Sequence, residues 1–275
     1  NDFYYWDDFW SVEGFLSAAQ LARVVGEEED ALKFIHEAED LMKCIERSLV
    51  KAAQRLGTEA MPASPHRRLD TGSIGSIAPA YPLQLWSASD PRMIATVNYL
   101  LRDCFVNGGF FHDMTHSGIN PYLSLHLAQI LLRAEDARYF DIMKDIAKLA
   151  SPTGQWPEAV HPQTLGGCMG DGQHVWAAAE WILMIRNIFV REEKETLILF
   201  SGIPEGWRNS AMHFGLAPTP FGPIELHAEP GDGVLKLSWK GQWFGKEPVI
   251  EIRLPGKPAI RTKPGQTSLE VKHWP

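Results

Sequence analysis

The sequence predicts a mainly α-helical domain followed by a smaller β-strand domain, on three observations. Across residues 1–195, apolar side chains recur at helical spacing in about seven segments. Those segments are alternately amphipathic and apolar on nearly every face, which suggests enclosed inner helices within a half-exposed outer layer. Across residues 196–275 the apolar pattern switches to period two, with turn residues between short runs, as in a small antiparallel sandwich.

The elements follow in order. An apolar-rich segment from Trp10 to Val25 ends before Gly26. Glu27 to Leu56 places Leu32, Ile35, Met42, Ile45, Leu49 and Leu56 on one helical face and stops at Gly57. After a loop from Pro62 to Arg68, a Gly/Pro-interrupted apolar stretch from Ile74 to Trp86 reads as a short or irregular helix. Asp90-Pro91 is a capping residue with proline in the first turn and opens a helix to about Val106. Asn120-Pro121 repeats the device for a helix to about Arg133, and Ala137 to Ala150 forms another. Gln173 to Val190 is apolar nearly all round, which predicts a helix buried on all sides. Strands are expected at 196–200, 224–228, 234–239, 249–254 and 268–272, with a structural role.

Composition narrows the function. The net charge of −8 (26 basic against 34 acidic residues) and the lack of a basic run argue against a nucleic-acid partner. No apolar run reaches the roughly 20 residues needed to span a bilayer, so no membrane role is expected. Cys44, Cys104 and Cys168 are odd in number and widely spaced. They read as reduced, buried thiols and point to a cytoplasmic rather than a secreted protein. The chain opens at Asn1, already inside an aromatic motif, as a fragment or processed piece would.

Two acidic tryptophan segments stand about 150 residues apart: Tyr4-Tyr5-Trp6-Asp7-Asp8-Phe9-Trp10 and Gly154-Gln155-Trp156-Pro157-Glu158. Capping of the helix that follows explains one aspartate of the first segment, but not its aromatic neighbours. Glu158 lies in a loop from Ser151 to Gly172 that lacks periodicity, a length more often functional than not. Paired carboxyl groups beside flat apolar faces are what glycosidic bond cleavage requires. Two further polar loops precede helices: Arg67, Arg68 and Asp70, and the run Phe110-Phe111-His112-Asp113-Met114-Thr115-His116. His161, Asp171 and His174 could be metal ligands, but their irregular spacing is a weak signal, so no metal site and no cofactor is assigned. Nucleophile-elbow and phosphate-loop signatures are absent.

These segments resemble the six-hairpin (α/α)6 toroid glycosidases, and most of all the glucoamylase family. Tyr4-Tyr5-Trp6-Asp7-Asp8 is similar to that family's Tyr…Trp-Glu-Glu segment, with Asp in place of Glu. Trp156-Pro157-Glu158 is similar to the loop that carries its general base, and Gly170 to Trp176 to the opening of its last helix. Gly118-Ile119-Asn120-Pro121-Tyr122 resembles its Gly-Asn-Pro-Trp opening of another inner helix. The resemblance covers about the second half of a ring, so the chain is expected to be a partial toroid with the first half as a partner.

The resemblance implies an inverting, exo-acting glycosidase on an oligosaccharide or α-glucan. Asp7 would then be the general acid, with Asp8 competing for the role, and Glu158 the general base. Trp6, Trp10, Trp156 and Trp176 would be stacking platforms, and Asp70, His112, Asp113 and His174 partners for sugar hydroxyls. A toroid phosphorylase, or a non-catalytic sugar-binding half-ring, are the alternatives.

Overall fold

A computed structural model describes residues 2–114 and 117–274. The opening motif lies inside helix α1 (Tyr5–Val25) rather than in front of it. The helix begins before Trp10 because Tyr5 and Phe9 are its first core residues, followed by Val12 and Ala19 on the same face. Asp7 and Asp8 therefore sit in the first turn, where negative charge suits the free amides and their dipole. Gly26, at φ 88°, closes α1 in the left-handed conformation that glycine adopts without strain.

Helix α2 (Glu28–Leu56) packs along α1. Its buried stripe is Ala31, Ala38, Ile45, Leu49 and Ala52, whereas Leu32 is exposed. The inner face thus combines Ile45 and Leu49 of the predicted stripe with alanines, whose small side chains suit close helix packing. Residues Thr71–Ile77 form a 3-10 segment that runs on through turns to Trp86, as the Gly/Pro interruptions predict. Helix α3 (Pro91–Asp103) starts where expected, with the Asp90 side chain accepting from the Arg92 amide at 2.9 Å. It stops short of Val106 because Phe105–Val106 is a strand.

Helix α4 (Pro121–Arg133), capped by Asn120, is buried along its length except at Tyr122 and Arg133. Helix α5 (Arg138–Lys148) covers it on one side and α6 (Val175–Phe189) lies against it on another. The all-apolar pattern of α6 does not correspond to burial on every side. It buries Ala177, Glu180, Met184 and Ile188 but exposes Val175, Ile182 and Leu183. Thus α1, the 3-10 segment, α4 and α6 form an inner row, with α2, α3 and α5 packed on it.

A small sheet that the periodicity did not announce ties the loops together. Its strands are β1 (Phe105–Val106), β2 (Gly109–His112), β3 (Gly118–Ile119), β4 (Ala159–Val160) and β5 (Gly167–Met169), hydrogen-bonded in that order. Two to four residues each, they are too short for alternation to show.

Strand pairing of the second region begins at β6 (Val190–Glu193), which pairs with β7 (Thr196–Leu199). Then follow β8 (Met212–Ala217), β9 (Ile224–Gly231), β10 (Val234–Gly241), β11 (Val249–Ile252), β12 (Ile260–Arg261) and β13 (Ser268–Lys272). They make two four-stranded sheets, ordered β13-β10-β9-β8 and β12-β11-β7-β6. The expected all-antiparallel sandwich is corrected at one place: β11 runs parallel to β7. The chain between them builds most of the other sheet, and so supplies the long crossover that a parallel pair needs.

All three cysteines are free, but only Cys104 is buried; Cys44 and Cys168 are exposed, contrary to the expectation of buried thiols. Among the described residues, no helix is long and apolar enough to cross a membrane.

The Phe9 ring is fully buried and meets Trp86 edge-on at 5.0 Å. Phe9→Ala is expected to lower stability by about 3–5 kcal/mol, measured by denaturant unfolding.

Candidate functional site

The N-terminal ends of α1 and α4 and the start of the 3-10 segment open on one cleft of about 300 Å³. Its walls include Tyr4, Trp6, Gly72, Gly75, His112 and Tyr122. Trp6 is pressed onto Gly75, where an added Cβ would lie 3.0 Å from the Trp6 Cβ. One turn along α1, Trp10 brings its ring to 5.8 Å from that of Trp6.

Tyr122 also lines the cleft. Its ring stacks on Trp176 at 4.5 Å and 15°, and His174 lies 5.5 Å away. Burial, then the charge of Glu158, push the Tyr122 hydroxyl up to about 12. Glu158 is therefore an electrostatic neighbour of the cleft wall. It is half-buried and lies against Gly170 at φ 70°, where an added Cβ would stand 2.9 Å from the Glu158 Cβ.

The two aspartates of α1 point differently. Helical spacing places Asp7 with Trp10 and Ser11 on the open face, and Asp7 is exposed. Asp8 shares the flank of Tyr5 and Val12 and is half-buried. Burial and then the Asp7 charge raise the Asp8 carboxyl above its ordinary value.

The remaining sequence-derived candidates divide. Asp70 caps the 3-10 segment through the Gly72 amide at 2.9 Å and pairs with Arg67 at 2.8 Å. Asp113 is exposed and accepts a hydrogen bond from Thr71, beside the same cleft wall. His112 lines the cleft, while His174 and Trp176 reach it through Tyr122. Trp156 does not reach it: the indole is buried, packs on Trp181 and donates to the Ile146 carbonyl at 2.9 Å. Thr115 and His116 lie outside the described residues. His161 and Asp171 hold loop turns by accepting backbone amides.

Beneath Tyr122 lies a buried polar cluster that the sequence reading passed over. Glu180 of α6 accepts from the Tyr81 hydroxyl at 2.7 Å and the Gln129 amide at 3.0 Å. The His126 Nε2 stands 3.4 Å from the other carboxylate oxygen. Asn187 donates to Gln129 at 2.9 Å, and the Arg133 guanidinium lies 4.7 Å over the Tyr81 ring. Burial pushes the Glu180 carboxyl up, but the hydrogen bond and charge of His126, with the bonds from Tyr81 and Gln129, hold it below its ordinary value. The signal was present: Glu180 is the sole carboxylate in the apolar sequence of α6.

A second hollow of about 670 Å³ lies around the far end of α4, lined by Gln84, Arg133, Glu135, Glu193, Lys194 and Arg253. It is a helix length, about 18 Å, from Tyr122 and contains none of the candidate carboxylates.

Comparison with solved structures finds a similar fold in glycosidases. A glycosidase variant matches at TM-score 0.53 and 18% identity, covering 68% of this chain and 52% of its own. A variant described as a glycosidase in complex with glucose matches at TM-score 0.53 and 17% identity, with the same coverage. The chain spans about half the length of these glycosidases. At such identities the likeness concerns the fold alone. No protein-family model matches the chain, nor does any curated protein sequence.

The Glu180 cluster gives a stability prediction. Glu180→Ala leaves three buried polar partners without their acceptor and is expected to cost about 3–5 kcal/mol at neutral pH in denaturant unfolding. Because the folded carboxyl lies below the ordinary value of 4.5, its contribution is present above that pH and is lost as pH falls through the folded value. The stability gap between wild type and Glu180→Gln is therefore expected to narrow as pH falls below the ordinary value of 4.5, as followed by denaturation midpoints.

Proposed function

We propose that the chain carries the cleft of an inverting, exo-acting glycosidase that attacks an oligosaccharide or α-glucan. One observation supports the reading: Trp6, beside the acidic first turn of α1, and Tyr122, which has Glu158 as an electrostatic neighbour, line the same cleft. Acidic groups from distant parts of the sequence are thus neighbours of residues that line one aromatic cleft, and hydrolysis across a sugar ring requires such a pair.

In this mechanism Asp7 protonates the leaving oxygen, and Glu158 takes a proton from the water that attacks the opposite face. Asp8 is the alternative donor; its raised carboxyl keeps its proton more readily, whereas Asp7 has the more open position. Trp6, Trp10 and Trp176 offer flat faces, the last backed by Tyr122. His112, His174, Asp70 and Asp113 would contact hydroxyl groups around the rim.

The first half of a toroid is the proposed partner of this half. The support is that α1 exposes Trp10, Leu21 and Val24, while α6 exposes Val175, Ile182 and Leu183. Further helices packed on both faces would close a ring and shelter Asp7 from bulk water.

The test is a glycan panel with Asp7→Asn, Asp8→Asn and Glu158→Gln. Glu158→Gln and one of the two aspartate variants are expected to lose about 10²–10⁴-fold in kcat. Wild-type turnover in Glu158→Gln, or in both aspartate variants, would reject the pair. Proton NMR of the first product is expected to show the anomer opposite to the substrate linkage; a retained configuration would overturn the inverting mechanism.

A further inference from the structure

Far from the cleft in sequence, the solvent-facing side of β8 and β9 carries His213, Glu225 and His227. Strand geometry puts them together: Glu225 and His227 are two apart on β9, and His213 is the cross-strand partner of His227. The intervening Leu226 is buried, so the three polar side chains share the outer face. The two imidazole rings stack at 4.5 Å and 14°. His213 Nε2 lies 2.8 Å from Glu225 Oε1, and His227 Nε2 lies 3.6 Å from the same oxygen.

We propose that His213, Glu225 and His227 form a binding site for a divalent transition-metal ion of the zinc type. One ligand atom from each residue lies within 4.8 Å of the other two. A tetrahedral ion with bonds of about 2.0–2.1 Å holds its ligand atoms roughly 3.3 Å apart. The separations of 2.8 and 3.6 Å bracket that edge, so small side-chain rotations bring both imidazoles and the carboxylate onto one ion. The donor set of two imidazoles and one carboxylate suits zinc rather than calcium or magnesium, which take oxygen ligands.

A hydrogen-bonded His–Glu pair accounts for His213 and Glu225 alone. It does not account for His227, whose nitrogen also turns toward the same carboxylate at the edge of the sheet. Lys240 is paired opposite Glu225 on β10, and Lys236 opposite Glu229. The Lys240 ammonium competes for Glu225 but offers no ligand atom while it is protonated. Three protein ligands leave the fourth position to water. A bound ion would also join edge strand β8 to β9, across the irregular register between Phe214 and Ala217.

Isothermal titration of the chain with Zn²⁺ tests the site, with Mg²⁺ and Ca²⁺ as comparison ions. One Zn²⁺ per chain is expected, with affinity reduced at least about tenfold in His213→Gln, Glu225→Gln and His227→Gln. Thermal unfolding should show a Zn²⁺-dependent rise in Tm in the wild type that the double variant of both histidines lacks. Unchanged Zn²⁺ affinity in the variants, or no binding up to about 1 mM, would overturn the proposal. A zinc-soaked crystal tests it without any substitution. An anomalous peak between the three side chains supports the site, and a peak only elsewhere rejects it.

Discussion

The buried carboxylate of Glu180 constrains the arrangement on which the cleft depends. An ionised group in the interior is tolerated only when its oxygens are satisfied, and here α4 supplies Gln129 and His126 to Glu180 of α6, while the segment after the 3-10 turns supplies Tyr81. Sliding α6 by one turn past α4 would break those bonds together. The register set by Glu180 also brings Trp176, one turn above it, onto Tyr122, and His126, one turn below Tyr122, onto Glu180. The aromatic wall and the polar floor are two consequences of the same helix pairing.

The five short strands do for the loops what Glu180 does for the helices. Pairing of Phe111 with Ile119, and of Ile119 with Val160, links the loop before α4 to the loop before α6. Glu158 is thereby held close to the sheet instead of on a free excursion. Two glycines permit the close contacts: Gly75 admits Trp6, and Gly170 admits the stem of Glu158. Side chains at either place would push apart the groups that the proposed mechanism brings together.

Legibility in the sequence followed physical range. Signals contained in a few neighbouring residues were readable: the Asp90-Pro91 and Asn120-Pro121 caps, the stop at Gly57, and the alternation of the β-strand region. Signals that need a partner were not. The two-to-four-residue strands have no period, and the Glu180 cluster joins residues 51 and 99 positions apart in its Gln129 and Tyr81 bonds. Trp156 shows the limit of composition: an indole beside an acidic residue reads as a platform, yet the indole fills the core. The start of α1 was misplaced for a related reason, since Tyr5 and Phe9 read as part of a polar aromatic motif until their burial against Trp86 and α2 is known.

The contrast between α4 and α6 bears on the cleft as well. Both sequences are apolar nearly all round, and α4 is enclosed as that pattern requires. On α6 the same pattern leaves Ile182 67% exposed, and on α1 Val24 is 83% exposed. Helices placed in water on one side normally carry polar residues there, so these faces have the composition of interfaces. On α1 that face also bears Trp10 and Asp7, two of the residues proposed to meet the sugar. Stability and the proposed chemistry then make the same demand: cover that removes these apolar side chains from water would also enclose the turn where the proposed acid stands.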